Sequence, residues 1–463
     1  MPPSAARRGI WFVLAPVLGL ALIIVPLFLV GAPNVDAEQA RLCRMVLPAL
    51  YPEDDGIEIL SSEPGQRSAV HVAFRTSAGG REHLLTCRFG GIGYSAAKRD
   101  LVAILVDGVG LGEAAFYFAK ERWLESRHAV LADPGAPGQG RGWITLPRGA
   151  AVVLQHAING LPRTGILALL ALATALIYGL IGRINLAFGE FAALGGIAAS
   201  MGVVIAVLAG ITTPLLAATL ALIAALALSA LYGFAMGRAI LWPLATTAAP
   251  GRSSASGQPL LVAGVGMLVA IQEGLRLAQG AGTLWLPPAS GEAWRIASAP
   301  GFDVVAHPRL LAMVAINWLA IGLTLAVMHR TALGRAWRAS ADDPFAASLC
   351  GIDPRRLLIT ISALSTMLAG LAGATITLNY GGMHFSGGTL IGLTGLIAAI
   401  LGGIGSLGGA VLGGVVIAGF QVGWSALRDI AQWELATFTL LTLALILKPG
   451  GFFGFADGAQ RKA

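Results

Sequence analysis

The chain has 463 residues, of which 56% are hydrophobic and only 12% are charged. This composition, with 62 glycines, excludes a soluble globular protein, because no soluble core could bury so much apolar surface, and it predicts a polytopic membrane protein. The formal net charge of +7 is no sign of nucleic-acid binding, since it comes mostly from arginines at the ends of apolar runs.

The first apolar run covers residues 10–31 and follows Arg7 and Arg8. About 20 apolar residues are long for the core of a cleaved signal peptide, and the small-residue cleavage site is poorly defined. We favour a retained membrane anchor over residues 1–32, and cleavage of this segment is the alternative.

Residues 33–150 differ sharply in composition, with acidic and basic side chains nearly balanced. The segments with a strand pattern are Ser68–Thr76, Glu82–Phe89 and Leu101–Val106. Gly112–Arg127 has the pattern of an amphipathic helix, and Asp133–Gly142 has the glycine and proline content of a linker. The sequence therefore predicts a small α+β domain outside the membrane, between the anchor and the remaining apolar runs.

Two of the three cysteines, Cys43 and Cys87, lie in this predicted domain. An oxidising compartment would let them pair, and two unpaired buried thiols are the alternative. Cys350 lies elsewhere and is expected to stay reduced. The histidines of the domain, His71, His83 and His128, form no metal-like cluster in the sequence. We expect no metal, and a docking or stabilising role for the domain is favoured over catalysis.

Nine further apolar runs follow the predicted domain. They cover residues 164–182, 184–209, 212–240, 259–280, 309–328, 356–378, 388–404, 408–424 and 432–447. With the first run they predict an all-α membrane unit of about ten transmembrane helices. The runs at 388–404 and 408–424 are short for a complete crossing, so either one is expected to be tilted or re-entrant.

The distribution of basic residues predicts the orientation. With ten crossings and a cytoplasmic amino terminus, the connection at 329–355 and the tail at 456–463 lie in the cytoplasm, and residues 33–150 lie outside. The basic residues on the predicted inner side are His329, Arg330, Arg335, Arg338, Arg355, Arg356, Arg238, Arg252, Lys448, Arg461 and Lys462.

Polar residues interrupt the apolar pattern between the runs at 164–182 and 184–209, and Glu190 follows the interruption. Such a break is tolerated at membrane depth only where protein or a watery cavity covers it. One interpretation places Asn185, Phe188, Gly189 and Glu190 along a translocation pathway at its cytoplasmic mouth. The other interpretation is a polar turn between two helices.

The apolar runs hold little other chemistry. Glu273 and Arg276 are three residues apart and can pair on one helix face, and a self-satisfied pair is the favoured interpretation. No GxxxxGK[ST] loop occurs, so the chain cannot hydrolyse ATP by that route, and we expect no cofactor on this chain. The spans also lack the array of paired charges that proton-coupled transporters use.

The connection at 329–355 contains a short helix with its own start and stop signals. Asp343 can cap it, Pro344 fits the first helical position, and Gly351 can end it in the left-handed conformation. A short capped helix on the face of a membrane protein predicts a docking site for a partner.

Glycines recur at 402–414. They favour close helix packing over a phosphate-binding loop, which would bring a lysine or a helix start exposed to water. The residues expected to pack helices are Gly402, Gly403, Gly405, Gly408 and Gly409, and the block also includes Gly413 and Gly414.

Three blocks in this order resemble the permease subunits of bacterial ABC importers for branched-chain amino acids, a group that includes urea and amide importers. The blocks are YGLIGRINLAFGE at 178–190, LGRAWRASADDPFAASLCGI at 333–352, and AILGGIGSLGGAVLGG at 399–414 with LKPGGFFG at 447–454. The resemblance covers about residues 152–455, and it places the permease domain at residues 151–455. Phe345 replaces the usual Glu of the coupling pattern, and Phe188 and Leu186 replace the usual His and Phe.

The resemblance implies a non-enzymatic transport subunit of the bacterial inner membrane. Its expected partners are ABC ATPase subunits that bind ATP and Mg²⁺, a second homologous permease, a periplasmic solute-binding protein and membrane lipids. It assigns ATPase coupling to Gly334, Arg335, Asp342, Asp343, Pro344, Ala346, Ala347 and Gly351. Branched-chain amino acids are the favoured solutes. The alternatives are urea or amides and, from another class, an ion-coupled secondary transporter in which Glu190 would be functional.

Overall fold

The computed structural model describes most of the chain. The described residues are 37–51, 57–65, 68–76, 82–91, 96–126, 129, 144–211, 213–247, 258–280, 282–283, 285–286, 294–299, 302–403, 405–427, 433–447 and 451. The predicted anchor at 1–32, the predicted linker, His128 and the predicted tail at 456–463 lie outside them.

The amino-terminal unit is a five-stranded antiparallel sheet with helices before and after it. Its elements are α1 (Ala37–Leu50), β1 (Glu58–Pro64), β2 (Ala69–Arg75), β3 (Glu82–Phe89), a 3₁₀ turn (Ala96–Arg99), β4 (Leu101–Val106), β5 (Val109–Gly110) and α2 (Glu113–Tyr117), which continues into a π-helical turn (Phe118–Trp123). The sheet order is β1-β2-β3-β4-β5. The three predicted strands and the predicted helix are confirmed, although the helix is shorter than expected.

Strand alternation builds the core of this unit. Leu85, Cys87 and Phe89 of β3 point to the buried face, which α1 and α2 cover, while the residues between them are half-buried or exposed. Cys43 of α1 forms a disulfide with Cys87, so the alternative of two unpaired thiols is wrong. Cys350 is a free, exposed cysteine.

The described residues that follow this unit are mostly helical. The helices are α3 (Arg148–Ile181), α4 (Phe188–Leu208), α5 (Pro214–Met236), α6 (Trp242–Thr247), α7 (Gln258–Gln279), α8 (Pro308–Arg330), α9 (Ala332–Asp342), α10 (Pro344–Leu349), α11 (Pro354–Tyr380), α12 (Gly387–Gly402), α13 (Leu407–Leu427) and α14 (Trp433–Leu447). A π-helical turn, Gly237–Leu241, joins α5 to α6. All nine apolar runs predicted after residue 150 are therefore helical in whole or in large part.

Seven helices of the described part are long and apolar enough to cross a membrane. The expected number of about ten is not reached there, because α12 has 16 residues, α14 has 15, and the run at 10–31 lies outside the described residues. Among these seven helices α11 is the most enclosed and α7 the least. The bundle therefore has a central helix, α11, with α3, α4 and α5 packed around it.

A second, three-stranded sheet covers the start of α3. It consists of β6 (Ile144–Thr145), β7 (Trp294–Ala299) and β8 (Phe302–Ala306), with β6 parallel and β8 antiparallel to β7. The Gln155 amide on α3 accepts from the Val305 backbone N–H at 2.8 Å and donates to the Val305 carbonyl at 3.0 Å. This pair of bonds fixes the sheet on the membrane bundle.

Candidate functional site

Most of the residues that the sequence singled out lie in two regions of the bundle. We call residues 331–353 the docking segment, and the contact between the starts of α4 and α12 the central crossing. The docking segment contains two short helices, α9 and α10, between the long helices α8 and α11.

Asp343 closes one helix of the docking segment and opens the next. Its backbone N–H donates to the Ala339 carbonyl at the end of α9. Its carboxylate accepts from the backbone N–H groups of Phe345 and Ala346 at 2.9 and 3.0 Å. Pro344 occupies the first turn of α10, as the sequence predicted. These bonds satisfy amide groups that a six-residue helix would otherwise leave unpaired.

The far end of α10 stops at a glycine. Gly351 has a φ of 87°, in the left-handed region, and the Ile352 N–H donates to the Ala347 carbonyl. The pattern is a glycine-dependent helix termination. Asp353 then caps α11 through the backbone N–H groups of Arg355 and Arg356.

The outer face of α10 is apolar and exposed. Phe345 and Leu349 are 72% and 73% exposed, and they lie four residues apart on one face of the helix. Ala347 is buried beneath them. Two large apolar side chains held out by a capped helix are the features of a partner-binding surface.

The inner face of α9 is fixed to the bundle. Trp337 is buried, and its indole N–H donates to the Leu176 carbonyl of α3 at 2.9 Å. Gly334 lies against the Met328 carbonyl of α8, where a Cβ would overlap it. The Arg338 guanidinium donates to the same carbonyl at 2.6 Å. Among the other residues assigned to coupling, Arg335 and Asp342 are exposed.

The central crossing depends on glycine. Gly189 of α4 faces Gly388 and Gly392 of α12, and a Cβ on Gly189 would overlap the Gly388 carbonyl and lie 2.8 Å from the Gly392 Cα. Next to this contact the Glu190 carboxylate accepts from the Thr389 hydroxyl at 2.6 Å. Glu190 is completely buried, and its Oε2 has no hydrogen-bond partner among the described residues.

The polar interruption before Glu190 is a turn. Gly182 ends α3 with a φ of 66°, and the Asn185 side chain accepts from the Ala187 N–H at 3.0 Å. Phe188 is buried and packs against Phe191, with ring centroids 6.0 Å apart. Asn185 and Phe188 also line a cavity of about 10 Å³, which suits about one water molecule rather than a solute.

The four residues predicted to line a pathway thus have different structural roles. Gly189 and Glu190 join α4 to α12, Phe188 packs within the core, and Asn185 shapes the turn. The helix at 388–404 was predicted, but its contact with the start of α4, including the Thr389 hydrogen bond to Glu190, was missed, and no local signal in the sequence identifies that contact. Trp337 was also missed, although its position among small and charged residues of a polar loop was a signal.

The glycine block at 402–414 contributes unevenly to packing. A Cβ on Gly402 would overlap the Gly409 carbonyl, and one on Gly413 would overlap the Ala398 carbonyl. Gly403 ends α12 with a φ of 100°. A Cβ on Gly405 or Gly408 would meet no described atom within 4 Å, so close packing within the described residues involves Gly402 and Gly413 and not these two glycines.

Two other arrangements bear on the chemistry. Glu273 and Arg276 form the predicted ion pair at 2.7 Å, with both side chains about half exposed. Within the described ranges, no group of three or more His, Cys, Asp or Glu side chains is placed to hold a metal ion. The site is therefore one of packing and docking contacts.

Comparisons with known proteins agree with this picture. The profile of the family described as branched-chain amino acid transport system / permease component matches residues 156–447. The permease protein LivH of a high-affinity branched-chain amino acid transport system from Salmonella typhimurium is 29% identical over 306 residues, which are 65% of this chain and 95% of the relative. BraD of Pseudomonas aeruginosa, also a permease protein of a high-affinity branched-chain amino acid transport system, is 29% identical over 302 residues and has the same coverage.

A relative that matches a shorter stretch of the chain is named for another solute. The fructose import permease protein FrcC of Rhizobium meliloti is 31% identical over 140 residues, which are 29% of this chain and 38% of the relative. No solved structure matches the chain. The amino-terminal unit precedes the matched residues, whereas the docking segment and the central crossing both lie inside them.

Proposed function

The chain belongs to the family of permease components of branched-chain amino acid transport systems, and we propose that it translocates branched-chain amino acids in an ATP-driven importer. A periplasmic binding protein delivers the solute, and ATP and Mg²⁺ bind to separate ATPase subunits. This chain carries out no chemistry on the solute. A second, homologous permease completes the translocation pathway.

The observation that carries the proposal is the docking segment. Its helix α10 is capped at both ends, so its shape does not depend on the partner. Phe345 and Leu349 stand out from it, and their contact with an apolar groove of the ATPase would remove both side chains from water. ATP binding to the docked partner then drives the rearrangement of the helices.

Phe345 gives this docking surface an apolar character. The family pattern commonly has a Glu there, whose carboxylate would need a polar partner on the ATPase. A phenylalanine that is 72% exposed instead favours an aromatic or aliphatic groove. The ATPase that serves this chain is therefore expected to carry apolar residues where other systems carry a basic or polar one.

We place the chain in the inner membrane. The docking segment and both chain termini then lie on the cytoplasmic side. Ten crossings result when residues 10–31, α12 and α14 are counted with the seven long helices. Residues 33–150 then form a periplasmic domain, and the Cys43–Cys87 disulfide supports that placement because disulfides persist in oxidising compartments.

Purification through a tag on this chain tests the proposal. The chain is extracted from its native membrane, and the co-purifying subunits are identified. After reconstitution, ATP hydrolysis and the uptake of leucine, urea and acetamide are measured. We expect an ATPase subunit, and uptake that depends on ATP and prefers leucine. Preference for urea or acetamide would instead indicate the amide-importing branch of the family.

A matched pair of variants sharpens this test. Phe345→Ala with Leu349→Ala is expected to lose the ATPase subunit, whereas Leu231→Ala, on α5 outside the docking segment and 62% exposed, is expected to retain it. Uptake without any ATPase would overturn the proposal in favour of an ion-coupled carrier. Glu190 would then be the first residue to substitute.

A further inference from the structure

Trp337 lies between the docking segment and the membrane helices. It is on α9, it is 6% exposed, and it has the largest side chain among the buried residues of α9 and α10. Its neighbours on α9 include small and charged residues, so nothing in the docking segment itself requires a tryptophan there.

Trp337 contacts α3 in two ways. Its indole N–H donates to the Leu176 carbonyl, and its six-membered ring lies on Gly179 one turn further along α3. A Cβ on Gly179 would overlap ring atom Cζ2 and would lie 2.9 Å from Cη2. The ring therefore occupies the space that the missing side chain leaves open, and the indole fixes the direction of the contact.

The two short helices of the docking segment are linked to each other, and α9 carries Trp337. Asp343 joins α9 to α10 through its backbone and its side chain. Helix α9 also contacts the end of α8. Gly334, near the start of α9, lies on the Met328 carbonyl of α8, and the Arg338 guanidinium donates to the same carbonyl. A displacement of α10 therefore moves α9, and with it the indole of Trp337.

The part of α3 that Trp337 contacts leads directly to the central crossing. Helix α3 ends two residues after Gly179, at Ile181, and a short turn connects it to α4. The first turn of α4 contains Gly189 and Glu190, which hold α12. A shift of the end of α3 is thus carried by covalent connection to the contact between α4 and α12.

We propose that the contact of Trp337 with Leu176 and Gly179 transmits the movement of the docked ATPase to the turn between α3 and α4. Trp337 is a positioning residue in this proposal: it touches neither solute nor nucleotide, and it acts through α3. The proposal rests on the function proposed above, since it requires an ATPase bound at α10.

The complex purified through this chain and reconstituted in proteoliposomes tests the proposal. Leucine uptake and ATP hydrolysis are measured on the same preparation for Trp337→Phe, Gly179→Ala and their combination. Trp337→Phe keeps an aromatic ring, but it removes the indole N–H and places a smaller ring over Gly179. Gly179→Ala adds a methyl group under the indole. Trp318→Phe is the matched control, because Trp318 lies on α8 and is 39% exposed.

We expect each single variant to retain its ATPase subunit and its ATP hydrolysis while the ratio of leucine transported to ATP hydrolysed falls about tenfold, a common size for coupling between sites. The combined variant is expected to recover part of the ratio, because the smaller ring leaves room for the methyl group. Trp318→Phe is expected to leave the ratio unchanged.

Three results would overturn the proposal. An unchanged ratio in both single variants would remove Trp337 from transmission. Loss of the ATPase subunit from Trp337→Phe would show that the tryptophan only maintains the docking surface. Strictly additive effects in the combined variant would mean that Trp337 and Gly179 act separately. Absence of an ATPase from the unsubstituted complex is a different result, and it would overturn the function proposed above.

Discussion

The amino-terminal unit is packed through large side chains, whereas the membrane bundle is packed most closely where glycines leave side chains out. In the amino-terminal unit large residues of alternating strands, such as Phe74, Leu85 and Phe89, fill the core beneath the sheet. In the bundle the closest contacts occur where side chains are missing. A Cβ on Gly195 would overlap the backbone of Gly370, and one on Gly373 would overlap the Ala192 carbonyl.

The difference follows from the solvent of each region. Water drives large apolar side chains of the first unit together, and a disulfide adds to that stability. Lipid tails are as apolar as leucine, so the bundle gains little from apolar burial and depends on close backbone approach and internal hydrogen bonds. The two regions should therefore respond differently to the same kinds of substitution.

The largest expected effect is on the amino-terminal unit. Cys43→Ala with Cys87→Ala opens a loop with a sequence separation of 44, which the chain-entropy model equates with a loss of about 4 kcal/mol. Hydrogen exchange on the full chain in detergent should show lost protection in residues 37–126 and unchanged protection in α11. Cys350→Ser is the control. Equal loss of protection in both regions would refute their independence.

The next effect is on the bundle. Gly373→Ala forces a methyl group into the Ala192 backbone on α4, and overpacking of this kind costs about 1–3 kcal/mol. Gly266→Ala on α7 is the control, because a Cβ there meets no described atom within 4 Å. The thermal midpoint of the purified chain should fall for Gly373→Ala alone. Alanine is the better helix former, so helix propensity could not explain a similar fall for both variants, and that result would contradict the assignment of the effect to the space at Gly373.

A glycine of the docking segment tests conformation instead of space. Gly351 has open surroundings within the described part of the chain but a φ of 87°, which a β-branched residue adopts only at a cost of about 1–2 kcal/mol. Gly351→Val should impair ATP-driven uptake while membrane insertion stays intact. Gly351→Asn, which tolerates this backbone region, should retain uptake. Normal uptake by Gly351→Val would contradict the coupling role of α10.

A smaller effect concerns the start of α10. Asp343→Ala removes the acceptor for two backbone N–H groups, and the loss of such a cap costs about 1 kcal/mol. Glu113→Ala is the control, because Glu113 is an exposed acidic residue of the amino-terminal unit, outside the docking segment. The affinity of the purified ATPase subunit for reconstituted permease should fall only for Asp343→Ala. Equal affinities would show that the partner itself orders the helix.

Local sequence signals sufficed where the physical cause is local. The strands at 69–75 and 82–89 follow from alternation, and the strand at 101–106 follows from a compact apolar run. The limits of α10 follow from Asp343, Pro344 and Gly351. The apolar runs predicted the membrane helices because length and composition decide membrane crossing. These features require no knowledge of distant contacts.

Contacts between distant residues could not be predicted in this way. β1 was missed because its sequence, EILSSEP, is largely polar and pairs only by virtue of β2. The partners of Glu190 and Trp337 lie 199 and 161 residues away along the chain. The exact helix that a glycine contacts is likewise a property of the folded bundle, which explains why Gly405 and Gly408 differ from Gly402 and Gly413.

The smallest expected effect returns to the amino-terminal unit and depends on pH. Hydrogen bonds from the His83 side chain and then from the Leu84 backbone N–H lower the pKa of Asp107. Because the folded pKa lies below that of the unfolded chain, about 3.9, the resulting stability is present above that pH and is lost as the pH falls through the folded value.

Asp107→Asn should remove this dependence while it preserves the turn, since Asn tolerates the φ of 50° found at Asp107. The effect should be less than about 1 kcal/mol, because the side chain is 49% exposed and water screens the pair. Unfolding of residues 37–126, followed by hydrogen exchange between pH 3 and 6, provides the measurement. If α11 lost protection over the same pH range as the amino-terminal unit, the two regions would be coupled after all, and the contrast between them would fail.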